Sequence, residues 1–444
     1  MATATESAET PATPSQPRRA ALTALIGQTI EYYDFYLYGT AAALVLGRLF
    51  FPSHDQSAST LAAFATFAAG FLLRPVGAIV FGHLGDRIGR KSVLVTTLLM
   101  MGGATTLIGV LPTYATVGVW APILLVLLRC AQGFAIGGEW GGASLVSVEH
   151  APKGRAAFYG SIPQLGSPAG LLGSTVMVLL FGLIPDEAFL SWGWRIPFLI
   201  SAALLVVGLV TRLRLEETPE FVEVRRTRRQ ARVPLFELLH TASRPVVTGI
   251  AAAILTGGGY YLVNTFTITY ATTQLGLSRN IGLIGQLITA VTQAALIVAI
   301  GSWATGRNAR LIAAGGCALV GAWAFPLFAL MNTGAPVAIW LGQAVATVFQ
   351  TGMWALLPAL LAAQFPAHLR YTGISLCYQG ASVIGGFTPA IATFLLFRAG
   401  SSWPVATLLL GFGLVGTLGC LAARSDTDRV PDDRIAPEGA LGEV

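Results

Sequence analysis

The chain has 444 residues, 54% of them hydrophobic and only 11% charged, with 51 glycines. That balance excludes an ordinary soluble domain, and apolar runs of about twenty residues, each long enough to cross a hydrocarbon core as a helix, recur from end to end. The net charge of +6 does not point to nucleic acid, because the basic residues collect in alternate loops, as expected where a membrane sets topology.

Residues 1–19 are rich in Ala, Thr, Ser and Pro and lack Lys and Arg through position 17. They read as a disordered tail, not the basic leader of a cleaved signal peptide, so the first span is expected to act as its own insertion signal. Hydropathy then predicts twelve helices, near 20–47, 59–81, 91–111, 118–147, 156–183, 194–212, 246–273, 280–302, 309–331, 335–363, 372–397 and 402–423. The expected class is an all-α integral membrane protein. A loop over 213–245 divides the helices into an N-terminal bundle, 20–212, and a C-terminal bundle, 246–423, with a tail over 424–444. If the N-terminus is cytoplasmic, Lys and Arg fall in the tails and even-numbered loops. The exceptions are Arg48, Arg195, Arg279 and Arg398, together with Arg74 and Arg129 inside spans. Both termini are therefore expected in the cytoplasm. The linker's "RLRLEETPEFVEVRRTRRQARV" reads as a hinge with short amphipathic helices on the membrane surface, or as a site for anionic lipid or a regulator.

The first span contains "IEYYDFYLYG", with Glu31 and Asp34 at i, i+3 on one helix face. At a rise of about 1.5 Å per residue they lie about 15–20 Å from the near end, close to mid-membrane. Ionisable groups at that depth are costly, which makes them candidates for function. Burial raises a carboxyl pKa and a nearby guanidinium lowers it, so an acid alternating between the two loads and releases a proton near neutral pH. Arg74 in span two and Arg129 in span four offer planar forks suited to a carboxylate. Arg129 is the candidate counter-ion, exchanged between Asp34 or Glu31 and an anionic substrate; a static salt bridge is the alternative for both arginines. Glu139, in "GGEWGG", lies seven residues after Gln132 on one stripe of span four, as a proton relay or a structural hydrogen-bonding group. From Glu237 to Asp426 there is neither Asp nor Glu, so Glu31, Asp34 and Glu139 are the only acids within the spans.

Between spans two and three stands "GHLGDRIGRK". Gly82, Gly85 and Gly89 suit a tight turn, and Asp86, Arg87, Arg90 and Lys91 suit an interhelical ion-pair latch. The second half offers neutral donors for recognition: Tyr260 and Asn264 in span seven, and Gln343, Thr347, Gln350 and Trp354 as a stripe in span ten. Gln379 in span eleven, with Tyr33, Gln132 and Gln164 in the first half, completes the candidate substrate contacts; interhelical hydrogen bonds are the alternative for each. "APKGRAAFYGSIPQLG" from Ala151 and "PAHLRYTGISLCYQG" from Pro366 align Arg155 with Arg370 and Gln164 with Gln379, consistent with duplicated halves. The four cysteines fall in apolar runs without paired spacing, so neither disulfide, metal nor cofactor is expected.

"GHLGDRIGRK" resembles the signature loop of the major facilitator superfamily. "EYYDFYLYG", "FLLRPVGAIVFGHLGDRIGRK", "LLRCAQGFAIGGEWGGA", "SWGWRIPF", "EETPEF" and "RYTGISLCYQ" resemble its metabolite:proton symporter family. That resemblance implies a twelve-helix major facilitator fold. It also implies proton-driven uptake of a small carboxylate, such as shikimate, or a zwitterion, such as betaine, across the bacterial cytoplasmic membrane. A monomer is expected, with substrate, proton and lipid as its partners and no nucleic acid. The second signature loop should lie at "GSWATGRNAR" (301–310), which has no acid, so the latch there should be built differently. A drug:proton exporter is the nearest rival, but "GSPAGLLG" (166–173) lacks the Gly-Pro-x-x-Gly-Gly pattern of that class. A passive uniporter would not need Glu31 and Asp34, and a receptor on the same fold is a further alternative. An enzyme is not expected, for want of a nucleophile–base pair, metal spacing or phosphate loop.

Overall fold

A computed structural model describes residues 16–52, 56–181, 184–214 and 234–424. The charged run of the linker over 215–233 and most of both expected tails lie outside the described residues.

In chain order the long helices are α1 (Gln16–Ala41, continued through a wide π turn to Phe50), α2 (Gln56–Ile88), α3 (Arg90–Val110) and α4 (Trp120–Glu149). Then come α5 (Ala156–Phe181), α6 (Phe189–Leu213), α7 (Ser243–Thr272) and α8 (Asn280–Ala304). Last are α9 (Ala309–Asn332), α10 (Pro336–Ala362), α11 (Arg370–Ala399) and α12 (Trp403–Ala422). Ten of these, α3 to α12, are long and apolar enough to cross a membrane. Helices α1 and α2, which carry Glu31, Asp34 and Arg74, bring the set to the expected twelve in two bundles of six. In hydrocarbon a helix pairs its backbone groups internally, which is why this composition folds as helices.

Small residues set the packing, because lipid gives no hydrophobic drive to bring helix to helix. A Cβ at Gly137 on α4 would fall 2.5 Å from the Ala78 nitrogen of α2, and one at Gly413 on α12 would fall 2.6 Å from the Gly321 Cα of α9. Gly137 and Gly413 are therefore contact points for a neighbouring backbone.

Helix α7 is wound wide at two places, Leu255–Gly259 and Leu262–Phe266. Such turns pair i with i+5 and widen the helix locally. The Gln350 amide donates to the Leu255 carbonyl at 2.8 Å and the Gln343 amide to the Val263 carbonyl at 3.0 Å, so α10 adds a second donor to carbonyls that the Tyr260 N–H and the Thr267 hydroxyl already reach from within α7.

The signature segment departs from the expected turn. Helix α2 continues to Ile88, and only Gly89 makes the bend, at φ 111°, which L side chains rarely adopt. Gly82 and Gly85 are helical and face the other bundle: a Cβ at Gly82 would fall 2.9 Å from the Thr372 Cα, and one at Gly85 would fall 2.6 Å from the Tyr371 ring. They are small so that α2 and α11 can touch.

Candidate functional site: a cavity between the bundles and its buried charges

Between the two bundles, helices of both line a narrow cavity. From the first bundle α1 contributes Glu31, Tyr32, Phe35 and Tyr36, and α2 contributes Phe71 and Arg74. Opposite them stand Tyr260 and Tyr261 of α7, Gln350 and Trp354 of α10, and Tyr378 of α11. Glu31 is 4% exposed, and its Oε2 has no hydrogen-bond partner. Arg74 lies over two rings, its guanidinium carbon 4.1 Å from the Phe71 centroid and 4.8 Å from that of Phe35. The site thus combines one acid, one planar cation and an aromatic wall carrying several hydroxyls.

The cavity floor joins the bundles. The hydroxyls of Tyr32 and Tyr378 share a 2.9 Å hydrogen bond. Tyr378 stacks on Trp140 with ring centroids 3.8 Å apart and planes within 9°. The Trp354 indole donates to the Gln164 carbonyl at 3.3 Å, and the Gln379 amide donates to the Ile136 carbonyl at 3.0 Å.

Asp34 points away from this cavity, into the first bundle. It accepts hydrogen bonds from Thr105 Oγ1 at 2.8 Å and Ser201 Oγ at 2.5 Å. Thr105 accepts from the Gln132 amide at 2.6 Å, and the Gln132 carbonyl oxygen accepts from Arg129 Nη1 at 3.1 Å. Arg129 is thereby linked to Asp34 through two side chains, with its guanidinium carbon 4.3 Å from the Tyr38 ring centroid. Glu139 is elsewhere again, in a bidentate ion pair with Arg212 of α6: Nη1 meets Oε2 at 3.0 Å and Nη2 meets Oε1, while Thr97 donates at 2.5 Å.

At the signature-loop face, Asp86 accepts from the Thr372 backbone N–H at 3.1 Å and its hydroxyl at 2.7 Å, capping the start of α11 from across the bundle interface. Glu149 sits between Arg90 at 2.6 Å and Arg370 at 3.2 Å, and Arg90 also donates to the Ala367 carbonyl at 3.3 Å. Lys91 donates to the Leu213 carbonyl at the end of α6, at 2.8 Å, while Arg87 lies on the exposed flank beside His83. The second loop is unlike the first. Arg310 donates to the Ala423 carbonyl at 3.1 Å, and Asn308 caps the first turn of α9.

Of the residues singled out in the sequence, Glu31, Arg74, Tyr260, Gln350 and Trp354 meet at the cavity. Tyr33 instead donates to the Pro197 carbonyl at 3.0 Å inside the first bundle, Gln343 serves α7, and Asn264 accepts from Thr289 at 2.8 Å. Gln132, Gln164 and Gln379 are held in the hydrogen bonds above. Sequence reasoning missed Tyr32, Phe35, Tyr36 and Phe71, although their spacing around Glu31 and Arg74 was a usable signal. It also missed Arg212, which sits in the last turn of α6 but turns its side chain inward, and no sequence pattern signals that.

Comparison with known proteins agrees with this architecture. The family model described as Sugar (and other) transporter matches residues 20–238. The inner membrane metabolite transport protein YhjE of Escherichia coli is 41% identical over 400 residues, 86% of this chain and 89% of that protein. The shikimate transporter of Escherichia coli is 42% identical over 417 residues, 92% of this chain and 94% of that protein. A solved structure of the proton:xylose symporter XylE bound to 6-bromo-6-deoxy-D-glucose superposes with a TM-score of 0.75 at 17% identity, covering 92% of this chain and 95% of that one. With fold, signature loop and whole-length relatives in agreement, the chain belongs to the major facilitator superfamily, among the membrane transport proteins of its metabolite:proton symporter family.

Proposed function

We propose that this protein is a proton-coupled symporter that imports a small polar metabolite bearing a carboxylate across the bacterial inner membrane by alternating access. The observation that carries the reading is the pairing of Glu31 with Arg74 in one cavity between the bundles. The Arg74 fork presents a planar, permanently charged donor to a substrate carboxylate. Glu31 is the proton carrier: when protonated it leaves Arg74 free for the substrate, and when ionised it competes for Arg74. Loading of the substrate and of the proton are thereby linked. Tyrosine hydroxyls and the Gln350 amide suit a hydroxylated body, and the aromatic faces suit a ring or an ammonium group. Asp34 and Arg129, bridged by Gln132 and Thr105, act behind the cavity, so the role first considered for Arg129 passes to Arg74. We place the signature-loop face in the cytoplasm on the distribution of Lys and Arg, and the transporter works as a monomer.

Uptake of a panel of hydroxylated carboxylates and betaines into proteoliposomes tests this. An imposed inward proton gradient should drive accumulation, and a protonophore should abolish it. Glu31→Gln should lose accumulation while keeping exchange of internal for external substrate. Accumulation indifferent to the gradient would turn the reading to a uniporter, and absence of flux across the panel would turn it to a receptor.

A further inference from the structure

Most of the polar groups lining the cavity between the bundles are already engaged within the protein. The Tyr32 and Tyr378 hydroxyls are bonded to each other, Tyr36 is bonded to Ser167 at 3.0 Å and to Tyr260, and Thr256 donates to the Ala253 carbonyl at 2.6 Å. Gln350 and Trp354 donate to backbone carbonyls. On the second bundle this leaves Tyr261 of α7, Gln293 of α8 and Ser382 of α11. They line the cavity at 8%, 6% and 4% exposure and have no hydrogen-bond partner among the described residues. Buried polar side chains in that state are exceptions in folded proteins and call for an occupant.

Two of the three stand beside Arg74. Tyr261 packs its ring on Phe35 and Phe71, the rings that carry the guanidinium, at centroid distances of 6.4 and 5.8 Å. Ser382 lies one turn before Gly386, where a Cβ would fall 2.7 Å from the Phe71 ring. Gln293 is placed differently. Its helix α8 packs on α5, α7 and α10, whereas α2, which carries Arg74, packs chiefly on α4 and α11. The cavity therefore has a charged end, with Glu31 and Arg74, and a wall on α8 whose uncommitted group is a neutral amide.

We propose that Gln293 is a specificity-determining residue: its amide hydrogen-bonds a hydroxyl at the end of the substrate away from the carboxylate on Arg74, and so selects a hydroxylated carboxylate over a betaine. This rests on the transport reading above and names the substrate class within it. An amide offers a carbonyl acceptor and N–H donors, so it pairs with a hydroxyl in either sense. A trimethylammonium group has neither an N–H nor a lone pair. Seated against α8, it would strip the amide of water and return no bond. The aromatic walls do not discriminate in this way, since they accept the face of a ring and a cation alike. The Gln350 amide is held by the Leu255 carbonyl at 2.8 Å, so the choice falls on Gln293.

The test titrates the purified protein by calorimetry with shikimate, with cyclohexenecarboxylate, which keeps the ring and the carboxylate but has no hydroxyl, and with glycine betaine. The parent should bind shikimate most tightly. Gln293→Leu removes the amide and keeps most of the side-chain bulk. It should raise the Kd for shikimate about tenfold, the scale of one lost hydrogen bond at a buried polar group, and leave the Kd for cyclohexenecarboxylate unchanged. A purely structural Gln293 would shift both acids together; that result, or an unchanged Kd for shikimate, overturns the proposal. So does a parent that binds glycine betaine or cyclohexenecarboxylate as tightly as shikimate, or that binds none of the three. Should Gln293→Leu fail to fold, Gln293→Asn, which draws the amide back by one methylene, should lose part of the preference for shikimate alone, and equal losses for both acids overturn the proposal. A parent that also carries no member of the wider uptake panel ends the transport reading itself, which is a different result.

Discussion

Arg74 rests on the faces of Phe35 and Phe71, and that support holds its fork toward the cavity without a hydrogen bond or an ion pair among the described residues. Lysine keeps the charge but neither the plane nor the fork. Arg74→Lys is therefore expected to raise the substrate KM by about tenfold, or ~1.4 kcal/mol, with little change in Tm; an unchanged KM would remove Arg74 from recognition. Gly89 makes the contrasting case. Its φ of 111° is imposed by the reversal between α2 and α3, so Gly89→Ala should cost about 1–3 kcal/mol in backbone strain, read as a lower Tm.

Among the elements, α7 and α10 depend on each other. The polar stripe of α10 reaches α7 at its two wide turns, adding a donor to the Leu255 and Val263 carbonyls. The stripe was legible as Gln343, Thr347, Gln350 and Trp354, yet its direction was not. Spacing fixes which residues share a face and says nothing of whether the face meets substrate or a neighbouring backbone. Gln350→Leu removes the interhelical bond to the Leu255 carbonyl, which keeps the Tyr260 N–H, and should cost about 0.5–1.5 kcal/mol. Thermal unfolding checks it, and a stability equal to the parent would show that the interhelical bond contributes nothing.

Across the whole molecule the bundles are tied from mid-cavity to the signature-loop face, by Tyr32–Tyr378, Asp86–Thr372 and the Arg90–Glu149–Arg370 cluster. The related position in the other half is not equivalent. Arg155 is exposed over the Phe158 ring, and the second loop contributes carbonyl-bound Arg310. Opening of the signature-loop face should therefore be governed by the first latch. Glu149→Gln removes the charge shared by two arginines and should favour that opening. A cysteine placed at buried Ser375, which packs on Gly141 of α4, should then react faster with a maleimide; an unchanged rate would show that other contacts hold the face shut.

The sequence alone determined the class, the helices and the acids and arginines that lie deep within them, though not the inward turn of Arg212. Length and apolarity dictate spans in a bilayer, and an acid or arginine within a span is a conspicuous exception whatever surrounds it. Tertiary structure decided which exceptions belong together: Glu31 with Arg74, Asp34 with Thr105 and Ser201, Glu139 with Arg212. Partners on different helices are chosen by how the helices rotate and cross, and that is set by side-chain packing and close glycine contacts over the whole bundle, which no local pattern records.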